Sequence, residues 1–589
     1  MKFFSNVMAT IVGLVIFSIL SFFFFIMIVS IFSMATSGGK DVKVKSNSVL
    51  HLKLDKAILE REMNNPFENL DIPGMEDGGI GLIELREAID HAENDDNIAG
   101  ILLDAPYIMA GFTKISDIRA SLEKFKESGK FVVAASDMYT EGGYYLASVA
   151  DEVIVNPVYG FFEFNGLDAE RMFFKGTLDK LNIQPYIFRV GDYKDAIEPF
   201  IRKDMSAPSK KHTTYLINML QNDITNSIAT SRGLDPKDVQ AISDSALVQS
   251  GEDAISYGLI DHLMYKDQVD SLIRVKTDLE EDDKINYISY KKYSNSFNSK
   301  KSSKNRIAVI IASGEITGGK GENNTIGSEK FTSEIRKARL NDKIKAIVLR
   351  INSPGGSASA SDVIWRELKL ASKVKPVIAS MSDVAASGGY YIAAGCDTII
   401  TQPNTITGSI GVFGMMFNLQ GLLENKLGIT TDHVQTGHFS DLYNPTRPKT
   451  EYELQIFQKQ TEMVYEVFVQ KCAESRNMTT GEIKALASGR VWTGTDAVEN
   501  GLADMFGDLN TAISIAAEKA GLADDYKVSY YPVQKDPLTE ILESLTGDME
   551  SSYMKFKLKE FYPLWKEMNK IQQLEGIQTR LPLGYNVHF

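Results

Sequence analysis

The chain has 589 residues, of which 43% are hydrophobic and 24% charged, so it has the composition of globular material and room for roughly three or four domain-sized units. Its net charge of −14 argues against a nucleic-acid partner, because phosphate binding needs a basic face. The two cysteines, Cys396 and Cys472, lie far apart with no CxxC motif and no histidine at ligand spacing. This argues against a disulfide framework or a zinc site and predicts buried free thiols.

The N-terminal segment is long, apolar and uncharged. No charged residue lies between Lys2 and Lys40, and the apolar run extends over residues 7–34. A bilayer span needs ~20 apolar residues, whereas the core of a cleaved signal peptide needs only ~7–15. We therefore predict that residues 1–46 form a transmembrane anchor, with the rest of the chain on one side of one membrane. Cleavage near Ala35 is the weaker alternative.

Two long stretches of the chain repeat each other. Gly142-Gly-Tyr-Tyr145 aligns with Gly388-Gly-Tyr-Tyr391 at an offset of 246 residues, and the residues around both motifs follow the same alignment. After a small gap, residues 251–261 (GEDAISYGLID) align with residues 494–504 (GTDAVENGLAD). Self-similarity maintained over such a distance indicates a tandem duplication.

The duplication divides the chain behind the anchor into four segments. The first repeat unit extends over residues 47–289 and the second over residues 306–525. The polar segment 290–305 between them lacks apolar periodicity, so we predict an exposed linker. Residues 526–589 form a C-terminal extension that we predict to be helical, with no chemical role assigned to it.

Each unit is predicted to be an α/β domain. In the second unit, residues 307–311, 346–351 and 376–380 are short runs rich in β-branched residues and are typical of buried strands. Residues 361–372 have helical spacing of their apolar side chains, with Ser and Asp at the start as an N-cap would be. The alternation of strand and helix favours a parallel-rich sheet.

Two glycine-rich motifs follow strands of the second unit. Asn352-Ser-Pro-Gly-Gly-Ser357 contains paired glycines, which allow a sharp turn and present bare N–H groups to a ligand. In Ser382-Asp-Val-Ala-Ala-Ser-Gly-Gly-Tyr-Tyr391, Ser387 precedes two glycines where a strand should turn into a helix. Such a serine can attack a substrate while the next N–H stabilises an oxyanion, so Ser387 is a candidate nucleophile. A plain turn with a capping serine is the alternative for either motif.

A serine nucleophile needs a base, and the repeat indicates which residue supplies it. None of the seven histidines lies in a paired motif, whereas the known Ser-Lys variant uses a buried lysine that loses its proton near neutral pH. In the alignment, Glu141 stands opposite Ser387 and Lys194 stands opposite Ser440. Each unit therefore keeps the part of the site that the other has lost. We predict one site, shared by both units, with Ser387 as nucleophile and Lys194 as general base; a solvated surface lysine is the alternative.

Three motifs resemble those of one protease family. NSPGGS (352–357), SGGYY (387–391) and GDYKDAIEPF (191–200) are similar, in kind and in order, to motifs of the signal peptide peptidase A family in its long tandem form. The likeness extends from about residue 50 to residue 525. It implies two ClpP/crotonase-like units behind one membrane helix. It also implies a Ser/Lys-dyad endopeptidase that hydrolyses cleaved signal peptides and other apolar peptides at the membrane.

The same resemblance assigns the supporting residues and the setting. Gly356 and Gly388 would supply oxyanion N–H groups, Gly355 would support them, and Ser409 would orient Lys194. No cofactor or metal is implied. The family likeness further implies a homotetramer at the bacterial inner membrane, with the catalytic region on its outer, periplasmic side. Two rival functions stay open: a crotonase-like acyl-CoA enzyme, and a non-catalytic membrane scaffold with a protease-like fold.

Overall fold

Strands and helices alternate along the first unit. A computed structural model describes residues 10–25, 27, 42–62, 78–297, 303–322, 324–533, 576–581 and 586–588. The strands of the first unit are β1 (Ser48–Lys53), β2 (Ile58–Leu59), β3 (Ile80–Gly81), β4 (Ile98–Asp104), β5 (Phe131–Ser136), β6 (Met138–Tyr139), β7 (Glu152–Val155), β8 (Phe161–Phe162), β9 (Asp168–Glu170), β10 (Gln184–Val190), β11 (His262–Leu263) and β12 (Asn286–Ser289). The helices are α1 (residues 10–25), α2 (Leu82–Glu93), α3 (Phe112–Lys126), α4 (Glu141–Ala147), α5 (Lys175–Lys180), α6 (Glu198–Ile201), α7 (Ala207–Arg232), α8 (Pro236–Asp244), α9 (Gly251–Ser256), α10 (Lys266–Lys276) and α11 (Tyr290–Phe297).

The second unit repeats this alternation. Its strands are β13 (Arg306–Ser313), β14 (Glu315–Thr317), β15 (Thr325–Gly327), β16 (Ile344–Ser353), β17 (Gly355–Ser357), β18 (Val377–Ala386), β19 (Thr398–Thr401), β20 (Ile406–Gly408), β21 (Val412–Asn418), β22 (Val491–Thr493), β23 (Met505–Phe506) and β24 (Lys527–Tyr531), followed near the C-terminus by β25 (Gly576–Arg580) and β26 (Asn586–His588). Its helices are α12 (Ser328–Leu340), α13 (Ala358–Ser372), α14 (Gly388–Ala393), α15 (Glu451–Arg476), α16 (Thr480–Leu486), α17 (Gly494–Glu499) and α18 (Leu509–Lys519).

Both units are built on a mainly parallel sheet. The order is β11-β7-β5-β4-β1-β12 in the first unit and β22-β20-β18-β16-β13-β24 in the second, where β19 and β23 continue from β18. The repeat alignment matches β4, β5 and β7 with β16, β18 and β19, which occupy corresponding places. The prediction of two tandem parallel-rich α/β units is confirmed, and the four elements predicted in the second unit coincide with β13, β16, β18 and α13.

Strand β16 illustrates why the central strands are continuous apolar runs. Its side chains alternate between two faces, and both faces are covered. Ile347 and Leu349 belong to the hydrophobic cluster that contains Ile364 of α13, whereas Val348 belongs to the cluster that contains Ile513 of α18. A strand buried on both sides needs apolar residues at successive positions.

A third sheet joins the two units. Its order is β10-β21-β25-β17-β14-β15, in which β10 comes from the first unit and its neighbours come from the second unit and the C-terminal segment. Strand β10 pairs antiparallel with β21 along its whole length, from Gln184 opposite Asn418 to Val190 opposite Val412. Because Lys194 follows β10 closely in the chain, this pairing carries the lysine into the second unit.

The described part of the predicted anchor is helical. Residues 10–25 form α1 with exposed side chains, and residues 1–9, 26 and 28–41 lie outside the described residues. Among the helices that the structure describes, none combines the length and apolar character that a membrane crossing requires.

The predicted linker is wrong in its first half. Tyr290–Phe297 form helix α11, and Tyr293 is fully buried. The Tyr293 hydroxyl lies 2.8 Å from Nδ1 of His91 on α2, and the Phe297 ring stacks on that imidazole with centroids 4.0 Å apart. Although the segment is polar overall, its aromatic residues fall three and four positions apart and so share one helical face. Residues 298–302 lie outside the described residues.

The predicted helical extension is wrong where the structure describes it. Strand β24 adds to the sheet of the second unit beside β13, so this unit extends beyond its predicted end at residue 525. Strand β25 lies between β17 and β21, and β26 pairs with β9. These segments are too short to show a period, and they become strands because an edge offers them backbone partners. Residues 534–575 lie outside the described residues.

Candidate active site

Ser387 lies at the turn between β18 and α14. Its backbone has φ 55° and ψ −111°, a conformation that is unusual for a residue with a side chain. The turn is held by a hydrogen bond from Ser387 N to the carbonyl of Gly408, 2.8 Å long. Ser387 is fully buried. The predicted strand-to-helix turn is confirmed, and the strain it holds is typical of a nucleophile displayed at a sheet edge.

Lys194 lies directly against this serine. Its Nζ is 2.8 Å from Ser387 Oγ, 3.1 Å from Ser409 Oγ and 3.2 Å from the Ser409 carbonyl oxygen. The lysine is only 1% exposed, which excludes the alternative of a solvated surface residue. Two residues that belong to different units and lie 193 positions apart thus meet within hydrogen-bond distance.

Burial controls the charge of the lysine. It lowers the pKa of Lys194 to about 7, although the negative charge of the adjacent Asp195 opposes this. The Asp195 carboxylate accepts hydrogen bonds from Arg171 Nη1 at 3.1 Å and from Ser209 Oγ at 2.6 Å. A substantial fraction of the lysine is therefore a neutral amine at neutral pH, and only that form can accept a proton.

The sequence did not predict the contact of residues 488–489 with the backbone of Lys194. Tyr193 N donates to the carbonyl of Ser488, and Gly489 lies against the lysine backbone. A side chain on Gly489 would place its first carbon 2.6 Å from Lys194 N, and its φ of +82° favours glycine. The only signal in the sequence is a Ser-Gly pair at 488–489 before a strand, which is common in turns.

The paired glycines of the first motif lie beside the turn that carries Ser387. Gly355 and Gly356 have φ of +98° and +157°, and both belong to β17. A side chain on Gly355 would place its first carbon 2.6 Å from Gly388 N, so the two glycine segments are in contact. The structure thus brings Gly355 and Gly388 together next to Ser387. The assignment of the oxyanion N–H groups to Gly356 and Gly388 stays a prediction.

A buried polar network supports β18, the strand that precedes Ser387, and includes a carboxylate of the first unit. Arg350 on β16 donates to Glu60 at 2.8 Å, to Ser380 Oγ at 3.1 Å and to Ser382 Oγ at 3.0 Å, the last two on β18. Arg350 is 1% and Glu60 3% exposed. Burial alone would raise the pKa of Glu60, but the charges of Arg350 and Lys114 hold it at about 2. The signal that could have found this network is the arginine inside the apolar run AIVLRI, since a buried charge needs a partner.

The described residues of the first unit hold no second contact between a serine and a buried lysine of this kind. Glu141, which aligns with Ser387, is buried at the start of α4 and accepts hydrogen bonds from the backbone of Asn165 and Gly166, both at 3.0 Å. Burial raises its pKa. Ser440, which aligns with Lys194, lies in an exposed loop. The complementary loss predicted from the repeat therefore corresponds to one cluster shared by both units, formed by Lys194 and Ser387, and to a buried carboxylate, Glu141, at the aligned position of the first unit.

Comparison with known families defines the class of protein. The profile of "Peptidase family S49" matches residues 124–280 and 369–523, one stretch in each unit, and the profile of "Clp protease" matches residues 300–407. The chain is a serine protease made of two tandem ClpP-like units. This confirms the resemblance drawn from the three motifs and sets aside the acyl-CoA enzyme.

Curated relatives extend over most of the chain. "Protease 4" of Salmonella typhi is 33% identical over 90% of this chain and 88% of its own length. "Serine protease SPPA, chloroplastic" of Arabidopsis thaliana is 35% identical over 86% of this chain and 74% of its own length. "Protease 4" of Haemophilus influenzae is 31% identical over 95% of this chain and 93% of its own length. The chain belongs to peptidase family S49.

Proposed function

We propose that this serine protease is an endopeptidase with a Ser/Lys dyad, in which Ser387 is the nucleophile and Lys194 the general base. The observation that carries the proposal is the 2.8 Å contact between Lys194 Nζ and Ser387 Oγ. The lowered pKa of Lys194 supports it, because a base must be unprotonated at the pH at which it acts. The strained turn at Ser387 supports it independently.

The chemistry follows in two halves. Neutral Lys194 takes the proton of Ser387 as its oxygen attacks the scissile carbonyl, and the Gly356 and Gly388 N–H groups stabilise the oxyanion. Donors of this kind contribute ~3–4 kcal/mol each where they have been removed. Lys194 then gives the proton to the leaving amine, and water repeats the cycle on the acyl-enzyme. Ser409 Oγ, 3.1 Å from the amine, holds Lys194 in position.

The substrates we propose are extended apolar peptides, including cleaved signal peptides, met at a membrane. The apolar N-terminal segment supports an anchor, and the relatives named Protease 4 support a bacterial setting. We assign the catalytic region to the outer side of the inner membrane and the assembly to a homotetramer. Both assignments rest on the family resemblance.

Ser387→Ala tests the nucleophile. We expect hydrolysis of peptide esters and apolar peptides to fall to the background rate while the circular dichroism spectrum is unchanged. The Ser409 hydroxyl also lies near Lys194 Nζ, at 3.1 Å, but Ser409 does not stand at the strand-to-helix turn before Gly388. Ser440→Ala is the matched control, since it removes an exposed serine at the position that aligns with the lysine. Activity of Ser387→Ala within a few-fold of wild type would assign the nucleophile elsewhere. A wild-type protein that neither hydrolyses peptides nor reacts with a fluorophosphonate probe would favour the non-catalytic scaffold.

A further inference from the structure

An aspartate and an arginine of the first unit form a buried ion pair beside Lys194. Asp195 directly follows Lys194 in the chain, and its Oδ2 lies 3.1 Å from Arg171 Nη1. The side chain of Arg171 is 2% exposed and that of Asp195 is 11% exposed. Arg171 directly follows β9, so two separate segments of the first unit supply the two charges. Because the pair is buried, water and salt screen its charges much less than those of an exposed pair.

The position of Asp195 is fixed by further hydrogen bonds. Ser209 Oγ, in the first turn of α7, donates to Asp195 Oδ2 at 2.6 Å. Asp195 N donates to the Tyr193 carbonyl at 2.9 Å, and Tyr193 N donates to the Ser488 carbonyl of the second unit at 3.0 Å. The carboxylate is thus held in one place relative to the backbone that carries the lysine.

His212 of α7 is a further titratable group near this pair. The charge of Asp195 acts on His212, and so do the charges of Arg490 and Asp496 from the second unit. Burial lowers the pKa of His212 below its ordinary value of 6.5. The imidazole is therefore mostly neutral at pH 7 and above, where the dyad lysine loses its proton.

The ion pair presents two opposite charges to the Lys194 amine. A nearby negative charge favours the ammonium form, whereas a nearby positive charge favours the neutral amine. Burial lowers the pKa of Lys194 to about 7, and the Asp195 carboxylate opposes this. Arg171 partly cancels the field of the carboxylate, because it donates a hydrogen bond to the same oxygen.

We infer that Asp195 and Arg171 together set the pH at which the Lys194 amine releases its proton, and with it the pH above which the dyad is active. The inference rests on the proposed Ser/Lys dyad. Asp195 keeps the amine a sufficiently strong base, since proton abstraction becomes more efficient as basicity rises. Arg171 limits this effect, so that the amine does not stay protonated at neutral pH. Both are positioning residues that act through Lys194.

A purely structural ion pair is the alternative, and the second unit contains one. Asp441 aligns with Asp195 in the repeat, and its Oδ1 lies 2.7 Å from Arg447 Nη2. Ser440 stands there in place of the lysine, so this second pair has no neighbouring amine to control. The two interpretations make different predictions, because only control of the amine requires pH shifts of opposite sign when either charge is removed.

Two substitutions in the full chain test the inference through the pH profile of stopped-flow acylation by a peptide ester. Asp195→Asn removes the negative charge and leaves that of Arg171 in place. The midpoint should therefore move down by on the order of one pH unit, and the rate at high pH should fall a few-fold. Arg171→Met leaves the carboxylate uncompensated, so the midpoint should move up by on the order of one pH unit. Arg171→Lys keeps the charge and should return the midpoint toward the wild-type value. Arg202→Met, in an exposed pair with Asp204, is the control.

The direction of the shifts decides between the two interpretations. An unchanged midpoint in Asp195→Asn, with the rate merely reduced at every pH, would overturn the inference and assign the pair a structural role. This result is decisive even where Arg171→Met does not fold, because the asparagine side chain can still accept hydrogen bonds from Arg171 and Ser209.

Competitive labelling measures the amine without turnover. In Ser387→Ala chains, acetic anhydride should acetylate Lys194 faster as its amine loses the proton, and mass spectrometry of the peptide that contains Lys194 gives the midpoint. Adding Asp195→Asn should lower this midpoint and adding Arg171→Met should raise it. Such shifts in a protein whose Ser387 form hydrolyses no peptide would support the role of the pair and refute the peptidase. Ser387-dependent hydrolysis with an unshifted labelling midpoint would overturn the role of the pair and leave the peptidase standing.

Discussion

The amine of Lys194 is surrounded by oxygen atoms of two serines instead of by water. It lies 2.8 Å from Ser387 Oγ and about equally far from both Ser409 oxygens, at 3.1 and 3.2 Å. In this environment an ammonium group loses most of its hydration, which lowers the pKa to about 7. The reactivity that we propose for Ser387 therefore depends on the exclusion of water from the Lys194 amine.

The pH dependence of acylation tests the lysine. Because Lys194 acts as a base only when deprotonated and its pKa is about 7, the acylation rate should fall as the pH drops through about 7. Lys194→Ala should lower the rate by about 10²–10⁴-fold, the usual contribution of a general base, and Lys194→Arg should not restore it because arginine stays protonated. Stopped-flow acylation by a peptide ester from pH 6 to 9 measures this, with the exposed Lys484→Ala as control. A flat wild-type profile would contradict a lysine base.

Gly489 should be as sensitive as a residue of the dyad although it carries no functional group. Gly489→Ala puts a carbon 2.6 Å from Lys194 N and should displace the lysine, which would lower kcat on the order of 10²-fold. Gly428→Ala is a matched control, because Gly428 has a similar φ of +67° with open space around it. Equal activity of the two variants would show that the position of Lys194 does not depend on this contact.

At the scale of elements, strand β18, which ends just before Ser387, is supported by an arginine on the neighbouring strand β16 and by a carboxylate from the first unit. Arg350 reaches Ser380, the Met381 carbonyl and Ser382 on β18, and Glu60 neutralises it. Such a buried pair contributes little more stability than apolar residues would, but removing one partner leaves the other as an unpaired buried charge. The network therefore fixes the positions of β16, β18 and the Glu60 segment of the first unit relative to one another.

Glu60→Gln should destabilise the protein by about 3–5 kcal/mol, the usual cost of breaking a buried ion pair. The folded-state pKa of Glu60, about 2, is below its ordinary value of 4.5. Its contribution is therefore complete above about pH 4.5 and is lost as the pH falls toward 2. Urea denaturation at pH 7 measures the loss, with Glu466→Gln in an exposed pair as control, expected within about 0.5 kcal/mol of wild type. Similar stability of the two variants would refute the role of the network.

At the scale of the whole molecule, the two duplicated units each contribute one residue to the proposed dyad. The first unit contributes Lys194 on the segment after β10, and the second contributes Ser387 after β18. The antiparallel pairing of β10 with β21 joins these contributions within one chain. If the proposed dyad is correct, each unit is incomplete as an enzyme, although each has its own sheet and core.

Mixing full-length variants tests whether one chain supplies both residues. Chains carrying Ser387→Ala and chains carrying Lys194→Ala should remain inactive when they are mixed, because each assembled site lacks one member of the dyad. A peptide ester assay before and after mixing measures this, with each variant mixed with wild type as the control. Recovery of activity would mean that the serine of one chain uses the lysine of another.

Much of this organisation was predictable from the sequence. The duplication is visible because both units kept their strand-to-helix motifs, and the alignment placed Glu141 opposite Ser387 and Lys194 opposite Ser440. The central strands were predictable because burial on both faces demands continuous apolar runs. The two cysteines were predicted to be buried thiols, and both are buried.

Only the tertiary structure decided the contacts between segments that share no local sequence pattern. The pairing of Glu60 with Arg350, the approach of Gly489 to Lys194 and the strand formed by residues 576–580 join positions far apart in the chain. The sequence by itself determined the fold class, the repeat and the two dyad candidates, because periodicity and alignment are properties of the chain alone. Sheet register and edge pairing depend instead on which backbone groups remain unpaired once the units have packed together, and short segments such as β25 acquire their structure from that edge.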